Sequence, residues 1–253
     1  MSAQVGQVVV RRAGRGPGTR VPLLLAGVAA VVVYAAGDLI SGGLLYDQYS
    51  FRDQAISELS AYGSPVRPVA VAWIALHNVL GIAFSVGVWR SSGESRALRW
   101  TAALLLAAGV VTAPLHPFFP MSPRGATGGL NDTMHLVLTM VFGLCVLGAV
   151  AASAVALRGW FRRYAIASLV VIMAFGALTG PLMSGLATGL PTPWLGGFER
   201  VNAYATFAWM VALALALVRR PDPVRSAPQP SRASGSDAPS NSSANRRTPS
   251  RSV

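Results

Sequence analysis

Few side chains in this sequence can do chemistry, and they are thinly spread through runs of Leu, Ala, Val and Gly. Asp132 and His135 are three positions apart, so on a helix they share a face. His116 precedes them by one loop. Two imidazoles and a carboxylate suit zinc, and an exchangeable fourth position would make such a centre hydrolytic. His116, Asp132 and His135 are therefore the candidate metal ligands. Asp132 also has a plainer use as the cap of a helix. A second set, Asp38, Ser57, Glu58, His77 and Arg200, is suited to holding a polar ligand rather than a metal. His77 would lie about 13 Å along its helix, against about 5 Å for His135 along its own, which separates it from the metal set. Ser57 and Glu58 are adjacent and do not face each other on a helix, so they form no nucleophile–base pair. No Gly-x-Ser-x-Gly elbow, phosphate-cradling glycine loop or dinucleotide fingerprint occurs.

These groups must be positioned by membrane helices. Of the 253 residues, 53% are hydrophobic and 12% charged, with a mean hydropathy of +0.49. Such a composition describes no soluble surface. Crossing a bilayer takes roughly 20 apolar residues. Six stretches meet that need: 22–44, 68–89, 98–115, 132–157, 163–183 and 200–218. The fold class is therefore all-α, a six-helix transmembrane bundle. The first run is longer than a signal-peptide core and is read as a retained helix. The single cysteine, Cys145, excludes an intramolecular disulfide. The Gly176–Gly180 stretch GALTG has the spacing that lets two membrane helices approach closely.

Charge orients the bundle. All basic residues are Arg. The N-terminal tail, the connectors after helices 2 and 4 and the C-terminal tail together carry +14, and everything else carries −2, giving the net +12. By the positive-inside rule both termini are cytoplasmic, in a cell-membrane protein. The excess of Arg is then a topological signal and no footprint of nucleic acid. Membrane lipids are the expected partners, with the basic tails near anionic head groups. Residues 1–21 and 219–253, the latter rich in Ser, Pro and Arg, lack the apolar residues needed for a core and are expected to be disordered.

The same orientation gathers the uncommon polar residues at the outer end, where the segment Tyr46–Pro68 joins the first two spans. Its Ser50-Phe-Arg-Asp53 has the form of a capping box before Ala55, Ile56 and Leu59. A short helix over Phe51–Ala61 follows, ended by Gly63 and lying flat on the bundle with Ile56 and Leu59 downward. As a lid, it would turn Glu58 toward Arg200, His116 or His135. As a plain interfacial linker, it would leave Glu58 in water.

Tyr46-Asp47 and the run Ile56-Ser-Glu-Leu-Ser-Ala-Tyr-Gly-Ser-Pro65 resemble the signature of a bacterial and archaeal membrane family, domain of unknown function 998. There the usual form is Ile-Ser-Glu-Leu-Gly-Ala, and Ser60 replaces its glycine. His116-Pro117 and the pair Asp132 and His135 match the same pattern. The resemblance spans about 22–218 and implies a six-helix membrane protein, with no activity attached. Two functions fit: an outer pocket binding a lipid head group, ion or small solute, or a metal-dependent membrane hydrolase acting on lipid or envelope substrates. Binding requires fewer convergent contacts. The topology is tested by reporter fusions at Gly93 and Ser122, which are expected to report opposite sides of the membrane; the same side for both would refute it.

Overall fold

The computed structural model describes residues 19–126 and 128–220. Six helices form the bundle: α1 (Arg20–Ile40), α2 (Arg67–Arg90), α3 (Arg96–Leu115), α4 (Leu130–Ala156), α5 (Trp160–Thr188) and α6 (Leu195–Val218). Each is long and apolar enough to cross a membrane. Apart from 19–21 and 219–220, the two basic tails lie outside the described residues.

Successive helices pack side by side from α1 to α6, and α6 returns to α1 to close the ring. The Arg20 guanidinium donates to the carbonyls of Leu217 and Arg220, so the start of α1 and the end of α6 meet at one end of the bundle. The larger apolar core fills that half, with Leu24, Phe84, Leu98, Phe161, Trp209, Leu213 and Leu217 among its buried members. Polar groups within it are paired across helices: the Trp209 indole donates to Ser153 Oγ and the Asn202 amide to Ile172 O. Of the GALTG glycines, Gly176 faces Asn202 of α6, while nothing lies within 4 Å of a side chain built at Gly180.

The opposite end is built differently. A π-turn over Ser41–Leu45 continues α1, and a turn at Ser50–Gln54 leads to a single 3₁₀ turn at Ile56–Ser60. Gly63 takes the expected left-handed conformation, with φ of 76°. Ile56 and Leu59 are buried, as the amphipathic pattern requires. The continuous helix expected over Phe51–Ala61 does not form, and the reason is an outside claim on its carbonyls. Arg200 Nη1 donates to Phe51 O and Gln54 O, and Gly197 N to Arg52 O. Arg124 Nη2 and Thr192 Oγ1 donate to Asp53 O, and the Tyr49 hydroxyl to Ala55 O. Carbonyls bonded in this way are drawn away from a regular helical ladder.

Two helix boundaries also move. α5 runs on to Thr188, and α6 begins at Leu195, so Glu199 and Arg200 stand in its second turn instead of opening it. Those extra residues dock on the 41–66 segment: a side chain at Gly196 would collide with Gln54 O and lie 2.7 Å from Phe51 O. Gly37 lets Trp73 pack directly on α1 in the same manner. Gly196→Ala must therefore push two backbones apart, at a cost of about 1–3 kcal/mol. Gly81, with open space around it, is the control. The expected result is a lowered melting temperature in detergent for Gly196→Ala and none for Gly81→Ala; equal melting would show that the segment is not docked.

Candidate functional site

At the end away from Arg20 and Arg220, α1 brings Asp38 and α6 brings Arg200 into a buried two-pronged ion pair. Arg200 Nη2 lies 2.7 Å from Asp38 Oδ1 and Nε lies 3.0 Å from Oδ2. The Tyr204 hydroxyl donates to the same carboxylate at 2.8 Å. Arg200 Nη2 also donates to the Tyr49 hydroxyl, and Nη1 to Phe51 O, Gln54 O and Gly196 O. The guanidinium carbon sits 4.7 Å from the Phe51 ring centre. Burial pushes the Tyr49 phenol above its ordinary pKa, against the opposing pull of Arg200. Asp38 is 0% exposed, and every nitrogen of Arg200 donates to a protein acceptor. Such a pair is satisfied within the protein and acts as a clamp between α1, α6 and the intervening segment.

Glu58 meets neither Arg200 nor the two imidazoles. Its carboxylate accepts both prongs of Arg124, Nε to Oε2 and Nη2 to Oε1, each at 2.9 Å. It also accepts the Ala55 amide at 2.8 Å, fixing the start of the 3₁₀ turn. Arg124 Nη1 continues to Thr192 Oγ1 at 2.8 Å. This second clamp ties three loops together. Glu199 Oε2 accepts the Ile56 amide at 2.6 Å, a further anchor from α6. Ser57 Oγ is buried without a hydrogen-bond partner among the described residues. Near the rim, Arg52 and then the Trp194 amide hold the Asp53 carboxyl down at about 2. Arg124 had no signal in the sequence, because it stands in a loop where periodicity assigns no direction.

The third group is open. His116 and His135 meet edge to face, with ring centres 4.7 Å apart. His135 Nδ1 lies 3.0 Å from Phe119 O, and since a carbonyl only accepts, that nitrogen carries the proton. No hydrogen bond to the His116 ring occurs among the described residues. The two rings line a cleft of about 40 Å³ with Ser60, Arg67, Ile74 and Asn78. That room corresponds to about three waters.

Asp132 does not join the imidazoles as a third ligand. Its carboxylate accepts Ser122 N at 2.7 Å, Ser122 Oγ at 2.8 Å and Gly129 N at 3.1 Å, so it closes the loop before α4. The N-cap of α4 is Gly129 and not Asp132, which stands at the third helical position and bonds back to the Gly129 amide, and that use prevails over ligation. His77 is spent elsewhere: its Nδ1 lies 2.9 Å from Ala30 O and its ring packs edge-on against Tyr34 and Phe207. Among the described residues no group of three or more His, Cys, Asp or Glu is arranged to hold a metal ion. The zinc expectation for His116, Asp132 and His135 loses its third donor, and the hydrolase reading loses its centre.

Six apolar helices carrying a closed ionic clamp and an open imidazole cleft at one end define a multi-pass membrane protein. The family model described as "Protein of unknown function (DUF998)" matches residues 6–216, and the chain belongs to that family. No curated protein and no solved structure matches it.

The two clamps differ in depth, and that difference is measurable. Removing one partner of a buried pair costs about 3–5 kcal/mol, the value expected for Asp38→Asn. Glu58 and Arg124 retain side-chain exposures of 10% and 27%, so Glu58→Gln is expected to cost about 1–3 kcal/mol. Glu94→Gln, in an exposed connector, is expected to cost nothing. Thermal unfolding in detergent ranks the three; Glu58→Gln melting with the parent would show that the segment is a loose linker.

Proposed function

We propose that this is a binding protein of the cell membrane, with both termini cytoplasmic and the His116–His135 cleft on the outer face receiving a lipid head group, an ion or a small solute. The orientation rests on the basic excess of the tails and connectors. The binding reading rests on one observation. At an end where Asp38, Arg200, Glu58, Arg124 and Asp132 all engage protein partners, the His116 ring makes no hydrogen bond among the described residues, only its edge-to-face contact with His135, and lines an opening. Polar groups left unsatisfied in a concave site are what a ligand completes. The two clamps hold the walls of that opening in place and need not touch the ligand.

Ala75 lines the cleft and is a small residue at its wall. Ala75→Trp is expected to fill the opening while leaving both clamps untouched. Native mass spectrometry of the parent, released gently from its own membrane, is expected to show a bound small species that the variant lacks. Equal occupancy in the two proteins, or a bare parent, would refute a ligand in the cleft.

A further inference from the structure

We infer that the group received by the cleft is an oxyanion, a phosphate or a carboxylate, held by Arg67; this rests on the binding reading above and specifies its ligand class. Four arginines stand at this end of the bundle. Arg200 is paired with Asp38, Arg124 with Glu58 and Arg52 with Asp53. Arg67 has no carboxylate partner among the described residues. Its Nε donates to Ser60 O at 3.2 Å and its Nη2 to Pro117 O at 3.4 Å, and its guanidinium carbon lies 5.3 Å from the Tyr62 ring centre. These contacts hold the guanidinium at the cleft and leave its charge unmatched.

No acid lines the cleft to compensate. Its polar walls are Ser60, Arg67, Asn78, His116 and His135. Asp132, on the same face of α4 as His135, has its carboxylate engaged by Ser122 and Gly129. Glu58 is held by Arg124, and Glu199 accepts the Ile56 amide. Arg is the side chain suited to planar oxyanions, which its fork meets with two parallel hydrogen bonds. The His116 ring, which makes no hydrogen bond among the described residues, completes such a site as a donor, while His135, with its proton on Nδ1, keeps Nε2 as an acceptor and adds no donor. A metal cation or a quaternary amine would face Arg67 with a like charge. The size agrees, since room for about three waters admits a carboxylate or one face of a phosphate but no larger head group whole.

An oxyanion of this class comes either from a membrane lipid or from solution, and two probes separate the sources. The full-length protein is placed in nanodiscs of phosphatidylglycerol or of phosphatidylcholine, and separately in detergent with inorganic phosphate against chloride at matched ionic strength. Melting is followed for the parent, Arg67→Gln, Arg67→Lys and His116→Gln. Phosphatidylglycerol or phosphate is expected to raise the parent's melting temperature, with the apparent affinity at least about tenfold weaker in Arg67→Gln and His116→Gln, since one charge-assisted contact is worth that much. Arg67→Lys is expected to keep part of the effect. A response to phosphatidylglycerol alone assigns a lipid head group, and a response to phosphate assigns a soluble anion. If Arg67→Gln fails to fold, His116→Gln carries the comparison. Equal responses in the parent and the folded variants overturn the proposal, because the anion then sits elsewhere. Stabilisation by magnesium or choline that Arg67→Gln strengthens also overturns it, while leaving a binding cleft intact. No response to any probe, with a species still lost in Ala75→Trp, overturns the oxyanion assignment alone.

Discussion

The end of the bundle opposite the termini depends on the guanidinium of Arg200. A full charge on the second turn of an apolar helix is costly in a membrane unless it is paired, and here it is paired twice over. Asp38 neutralises it from α1, and the carbonyls of Phe51 and Gln54 and the Tyr49 hydroxyl take its remaining hydrogens. The connector is therefore shaped by the charge beneath it: it runs as turns because an extended row of carbonyls satisfies a fork-shaped donor better than a closed helical ladder does. Lysine could not replace it, having three donors on a single point where this site uses a planar set of five. Arg124 repeats the principle from the loop before α4, with Glu58 as its acid and Asp53 O as its carbonyl.

Both clamps are closed systems, and their closure gives the cleft its character. Each carboxylate spent on Arg200 or Arg124 is a carboxylate withheld from the imidazoles. Asp132 illustrates the competition: three donors from Ser122 and Gly129 surround it, and its proximity in sequence to His135 becomes loop closure instead of ligation. What remains at the opening is one unmatched guanidinium and two imidazoles with outward nitrogens. The same residue types thus serve in separate places, hydrogen-bonded throughout in the clamps and with nitrogens still unengaged at the opening.

Much of this architecture is legible in the sequence because the membrane imposes it. Runs of apolar residues of fixed length give all six spans, and the buried faces of Ile56 and Leu59 follow from simple periodicity. The Ile56-Ser-Glu-Leu run resembles the signature of the family to which the chain belongs. The failures have a common physical origin in contacts distant in sequence. Phe51–Ala61 carries good local helix signals, yet its carbonyls are claimed by residues some 140 positions away, such as Arg200 and Thr192. Glu58 has a partner 66 positions along, in a glycine-rich loop without periodicity. Asp38 and Arg200 stand out in the sequence as ligand groups for their rarity, and rarity alone does not distinguish a filled pair from an empty site. His77 stood out for the same reason and proves to bond the α1 backbone.

The geometry of α2 relates the cleft to the bilayer. Its 24 residues span about 36 Å, somewhat more than the roughly 30 Å of hydrocarbon, so both ends reach the polar layers. Arg67 opens the helix and Arg90 closes it, the two ends from which a long side chain on a membrane helix can reach water. Below Arg67, Val71, Ile74, Ala75 and Asn78 follow at spacings that keep one face of the helix toward the cleft. The wall that α2 contributes is thus charged at its first residue and apolar over the next two turns, ending on a single amide about 16 Å along the helix. A soluble anion would use only the upper part, whereas a lipid would also find the apolar wall alongside its first methylenes, each worth about 0.8 kcal/mol when buried. The proposed oxyanion site thus stands at the head of an apolar stripe on the same face of α2.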